Sequence, residues 1–137
     1  MPVLSVWLVR TALGHLAVGM ALGALLLSGR ELALGPWLPR LLPLHVELLL
    51  FGWTVQLVLG VAYWILPRFR AGRERGSPAP AWAAYWLLNA GVLLAGFGGA
   101  LGRGFALVLT GRALEMAAAA SFAVHAWPRI KAYGADA

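Results

Sequence analysis

Residues 44–70, LHVELLLFGWTVQLVLGVAYWILPRFR, contain an apolar run long enough to cross a bilayer, with a histidine and a glutamate at its entrance and a proline-arginine pair at its exit. No other feature restricts the fold as much. Hydrocarbon offers no partners to backbone N–H and C=O groups, so the run is read as a helix that satisfies them internally. At about 100° per residue, His45, Gly52, Gln56 and Tyr63 fall within roughly 20° of one line, with Glu47, Thr54, Val58 and Ile65 on the opposite side. The His-Gln-Tyr row is expected to face neighbouring helices, because lipid would leave it unpaired.

The rest of the chain has the same character. Of its 137 residues, 61% are hydrophobic and 12% charged, against about 25% charged in soluble domains. Four spans are predicted, at about residues 6–27, 44–66, 82–101 and 105–127, joined by short loops and a basic linker at 67–81. The fold class is all-α: residues 1–137 form one transmembrane domain, an integral membrane four-helix bundle. Arg10 and Gly14 interrupt the first apolar stretch and no small-residue cleavage site leads into a soluble domain, so the first span is read as retained.

The net charge of +6 lies at span ends and in loops rather than along one amphipathic face, which points to membrane topology and away from nucleic acid. Seven basic residues (Arg10, Arg68, Arg70, Arg73, Arg75, Arg129 and Lys131) fall on one side and four (Arg30, Arg40, Arg103 and Arg112) on the other. The excess places both termini in the cytoplasm and His45 near the outer face of a multi-pass inner-membrane protein. The linker's cations also suit anionic lipid. With no cysteine, disulfides, thiolate catalysis and cysteine metal sites are excluded.

Smaller signals fill in the spans. Thr11, His15, Gly19 and Gly23 recur at steps of four, a small-residue packing stripe that includes a GxxxG. The prolines of residues 28–43 suit an irregular interfacial loop, with Trp37 at headgroup level and Pro43 in the first turn of the second helix. Trp82, Tyr85 and Trp86 form an aromatic belt, followed by the amide of Asn89. Gly91, Gly96, Gly98 and Gly99 allow close approach of a backbone or a flat ligand, and the Gly102-Arg103-Gly104 turn makes the last two spans a tight hairpin. Arg112 and Glu115, one turn apart inside the fourth span, are expected to pair, with snorkelling of Arg112 as the alternative. Glu47 reads as a hydrated carboxylate near the outer surface, with a proton-accepting group there as the alternative.

Three histidines in four spans suggest haem b, which membrane bundles hold through imidazole. With Arg10 as the inner boundary, His15 lies roughly 7 Å inside it and His125 roughly 5 Å from the same interface, one layer in which the two could share an iron. His45, on the order of 20 Å away, needs a second ligand from elsewhere, such as another subunit. The competing reading for each histidine is an interfacial hydrogen-bonding residue. No HExxH, nucleophile elbow, phosphate loop or carboxylate-rich metal motif is present.

The second span resembles the second transmembrane helix of heme-copper oxidase subunit I, including the nitric oxide reductase and cbb3 branches, and is more similar still to small four-helix proteins related to that subunit. His45, Gly52-Trp53, Gly60, Tyr63 and Pro67-Arg68 carry the resemblance, and Trp86 to Gly91 is similar to an aromatic-Asn-x-Gly segment of that group. Glu47 and Trp64 stand where the small-family pattern has further histidines. The resemblance implies a small respiratory-chain protein with His45 as a haem ligand, Gln56 and Tyr63 supporting it, and a role in electron transfer or gas sensing. The alternative it implies is a non-catalytic accessory or assembly subunit of a nitric oxide reductase or terminal oxidase, and a homo-oligomer is compatible with either. Four spans lack the ligands of a binuclear centre, so an independent oxidase or reductase is not expected.

Overall fold

The computed structural model describes residues 1–31, 35–68, 75–102 and 104–130. Arg70, Arg73, Arg103, Lys131 and the side chain of Arg30, all used in the charge count, lie outside the described residues. Among the described residues the chain is entirely helical between its turns. Helix α1 spans Val3–Glu31, α2 Leu38–Ile65, α3 Ala79–Leu101 and α4 Phe105–Ala126, the last continued by a 3-10 turn at Trp127–Arg129. Their apolar stretches of 27, 28, 23 and 25 residues are each long enough to cross a membrane.

Helix starts precede the apolar runs because proline favours them. Pro80 stands in the first turn of α3, and the loop expected to be irregular up to Pro43 instead winds into a 3-10 turn at Leu38–Leu41 that feeds straight into α2. Proline has no N–H to leave unpaired there, and its fixed φ suits the first turn. At the other end, Gly102 adopts φ +65° and closes α3 with a bond from its N–H to the Gly99 carbonyl.

The helices pack in series: α1 on α2, α2 on α3, and α3 on α4. The two inner helices are the most enclosed, with 28% of the α2 and 44% of the α3 apolar window buried against 17% for α1 and 22% for α4. Two small clusters make the core. Leu4, Leu8, Tyr63, Tyr85 and Phe122 meet near the chain termini, while Leu44, Leu48, Leu88, Val92 and Ala118 meet towards the α3–α4 turn. We call these the terminal end and the turn end.

Glycines let α3 approach two neighbours at once. A Cβ on Gly96 or Gly99 would meet Leu44 or Pro43 of α2, and one on Gly91 or Gly98 would meet α4. Backbone approach is therefore what this glycine run serves, on two faces. Around the outside, Trp7, Trp64, Trp86 and Trp127 are exposed at the terminal end and Trp37 at the other, matching two interfacial belts. Tyr85 leaves the expected belt: it is buried and its hydroxyl meets Thr11 Oγ1 at 3.0 Å.

Helix α2 is not a regular α-helix. Residues Leu48–Val55 form a π-helical segment between α-helical pieces Leu42–Glu47 and Gln56–Ile65. Pairing i to i+5 puts more residues in each turn, so each advances by less than 100°. Phase lost over these 8 residues rotates the second half of α2 relative to the first. The single polar line of His45, Gln56 and Tyr63 is thereby broken up: His45 faces α1, whereas Tyr63 stacks on His125 beyond it.

The α3–α4 contact is the most exposed to mutation. A Cβ on Gly111 would lie 2.6 Å from the Ala95 nitrogen and 2.8 Å from the Gly91 carbonyl oxygen, backbone atoms that cannot step aside. Gly111→Ala is expected to cost about 1–3 kcal/mol in reversible unfolding from mixed micelles. Gly14→Ala, where a Cβ meets nothing within 4 Å, should be neutral or stabilising by up to about 1 kcal/mol.

Candidate functional site

Polar side chains inside the bundle gather in three places. The first is the α1–α2 seam, an antiparallel zipper of side chains on backbone carbonyls. Ser5 Oγ donates to the Gly60 carbonyl at 2.6 Å, His15 Nδ1 to Gly52 at 3.0 Å, and His45 Nδ1 to Gly19 at 2.8 Å. Each imidazole sits in a glycine notch: a Cβ on Gly23 would come within 2.7 Å of the His45 ring, and one on Gly52 within 2.7 Å of the His15 ring. The small-residue stripe of α1 thus makes room for a histidine as well as for a helix.

These bonds define the tautomers. A carbonyl only accepts, so Nδ1 of both rings carries the hydrogen, and Nε2 of the neutral ring is the bare nitrogen. His45 has no second hydrogen-bond partner among the described residues. It also lines a cavity of about 590 Å³. Gly23, Leu26 and Leu27 of α1 and Leu38 and Leu42 of α2 supply most of the remaining wall, which is apolar. An imidazole with Nδ1–H tied to a backbone carbonyl and a free Nε2 has the orientation that iron-ligating histidines use.

The second place is an ion triad near the turn end. Arg112 donates from Nη1 to Glu47 Oε1 at 2.9 Å and Glu115 Oε2 at 2.7 Å, and from Nη2 to Glu47 Oε2 at 2.6 Å, with its guanidinium 4.9 Å from the Phe51 ring centroid. The pairing of Arg112 with Glu115 is present. Glu47 corrects the expectation of a hydrated carboxylate: it is 3% exposed and binds Arg112 in a fork. The Arg112 guanidinium reaches both glutamates while its side chain stays 43% exposed.

The third place is a clasp at the terminal end. Arg129, 1% exposed, donates from Nε to the Pro67 carbonyl at 3.0 Å, from Nη2 to Leu66 at 2.8 Å and Tyr63 at 3.3 Å, and from Nη1 to His125 Nε2 at 2.9 Å. It caps the C-terminus of α2, where helix carbonyls lack intrahelical donors and the macrodipole favours a cation. His125 Nδ1 donates to the Ser77 carbonyl at 3.0 Å, so both of its nitrogens are engaged and the ring is neutral. Sequence reasoning placed Arg129 in the topology count and missed this role. The signal available was Trp-Pro-Arg closing α4 beside a helix that stops at Leu-Pro.

The three histidines lie at three levels. His15 meets α2 at Gly52 and His125 meets it at Tyr63, eleven residues or roughly 16 Å further along the helix. His15 and His125 therefore do not share a layer, since each is fixed by a different partner on α2. Gln56 and Tyr63 do not surround His45 either. Tyr63 belongs to the Arg129 clasp, and Gln56 is fully buried with neither amide atom bonded among the described residues. Nor do three or more His, Asp or Glu side chains converge in a metal-binding group among those residues.

Compared with known proteins, the chain matches no family model, no curated protein and no solved structure.

Arg129→Met should strand the Tyr63, Leu66 and Pro67 carbonyls and cost about 1.5–3 kcal/mol. Equilibrium unfolding in micelles measures the loss, and faster amide exchange at the end of α2 locates it.

Proposed function

We propose that this chain is a multi-pass inner-membrane protein of a respiratory system, with both termini in the cytoplasm, that binds a b-type haem through His45. The observation that carries the reading is the state of that imidazole. Its Nδ1–H is held by the Gly19 carbonyl, its Nε2 has no partner among the described residues, and it stands in an apolar cavity of about 590 Å³. The volume is within the range of small-molecule and cofactor sites, about 300–1,000 Å³. Arg40 follows Pro39 on the turn that walls the cavity and is the cation nearest in sequence for an acidic group at its mouth. The resemblance of the second span to heme-copper oxidase subunit I singles out the same histidine.

A bound haem would supply an iron able to take a diatomic gas or an electron. The residues favour the gas. His15 and His125 are committed at other levels of the bundle, so among the described residues His45 is the histidine that would hold the haem, and the iron would supply gas binding there. Gly19 and Gly23 orient the ring and make space for it, and Leu26, Leu27, Leu38 and Leu42 keep water from the cofactor face. The accessory-subunit reading makes a different demand, that the chain co-purify with a reductase or oxidase and carry no cofactor of its own.

Expression in a haem-replete host and purification in mild detergent test the proposal. A Soret band is expected in the wild type, lost in His45→Ala and kept in His15→Ala and His125→Ala, with carbon monoxide shifting the ferrous spectrum. A colourless wild type would sink the haem reading, and a band indifferent to His45→Ala would displace it from this cavity.

A further inference from the structure

The Glu47–Arg112–Glu115 triad does not balance. Two carboxylates meet one guanidinium, and both are buried, Glu47 at 3% and Glu115 at 6% exposure. Fully ionised, the group would hold an uncompensated negative charge within the spans, where unpaired charge is strongly disfavoured. Among the described residues its surroundings add no second cation. Helix α3, which presses Gly91 against Glu115, has no Asp, Glu, His, Lys or Arg, and on α2 His45 is turned away to α1. The guanidinium contacts are unequal. Both Glu47 oxygens accept from Arg112, whereas Glu115 accepts through Oε2 alone and its buried Oε1 has no partner. An orphaned oxygen on a neutral carboxylic acid costs far less than one on a carboxylate.

We propose that Glu115 is a membrane-embedded proton-binding site, occupied at neutral pH, while both Glu47 oxygens accept from the Arg112 fork. Taking up the proton converts the Glu115 carboxylate to a carboxylic acid and brings the triad from one negative charge to zero, with no other bond made or broken. Glu115 and Arg112 line a cavity of about 260 Å³, walled by Phe51, Leu88 and Met116, and the Arg112 side chain is 43% exposed, so the triad is not sealed inside the bundle. The site stands apart from the His45 cavity, and the inference does not rest on the haem reading.

Infrared spectroscopy of the full chain in lipid vesicles is the test. The chain has 5 Asp and Glu side chains, so a protonated-carboxyl band can be assigned by substitution. One such band is expected at neutral pH, shifted down in D2O, absent in Glu115→Gln, and lost from the wild type as the pH is raised. Should Glu115→Gln fail to fold, carbon-13 glutamate labelling of the wild type reads the same state: one carboxyl carbon in the protonated range at neutral pH. A wild type with every glutamate ionised at neutral pH, or a band that survives Glu115→Gln, overturns the proposal.

Discussion

Side-chain donors reaching across to the backbone carbonyls of the next helix run through this structure from end to end. Ser5, His15 and His45 join α1 to α2 in this way, Ser121 and His125 join α4 to the start of α3, and Arg129 joins the end of α4 to the end of α2. Interhelical hydrogen bonds in membranes average about 0.6 kcal/mol each, so their sum is a few kcal/mol. That is too little to drive association alone and enough to select one register among several. Dispersion between closely packed backbones supplies the rest, and the glycines permit it. Gly19, Gly23, Gly52 and Gly60 make the α1–α2 seam close enough for short side chains and imidazoles to reach a carbonyl.

Much of this could be read in advance, for definite reasons. Span number and approximate position follow from apolar run length, and the α3–α4 hairpin from two glycines around one residue. The Arg112–Glu115 pair follows from i, i+3 spacing, since both residues lie on one regular helix. Glu47 was out of reach of that logic. Its partner lies 65 residues away, and nothing in the spacing of either span says which helix faces which.

The polar row on α2 faces neighbouring helices as expected, but it does not meet one neighbour, for a more local reason. A regular 100° step carries His45, Gln56 and Tyr63 to one face, but the π segment Leu48–Val55 lies between them and alters the phase. Such segments have no sharp sequence signature. Once the phase is broken, His45 and Tyr63 belong to different neighbourhoods, one an apolar cavity beside α1 and the other an arginine clasp beside α4. The separation of His15 from His125 was likewise beyond residue counting along α1 and α4, because it is set by their partners on α2, Gly52 for one and Tyr63 for the other.

The Arg129 cap bears on the order in which the protein can be completed. Its acceptors at Tyr63, Leu66 and Pro67 lie 62 to 66 residues upstream. Chains fold largely from the N-terminus during synthesis, so α2 emerges long before the side chain that satisfies its final carbonyls exists. Until then that end of α2 must borrow water or headgroups at the interface. The α1–α2 seam can close early, since all its partners are already made, while the terminal end closes only when the ribosome has passed residue 129. Assembly of the bundle therefore has a last step written into its topology, and a chain that stops short of Arg129 would keep four spans while leaving the second one unfinished.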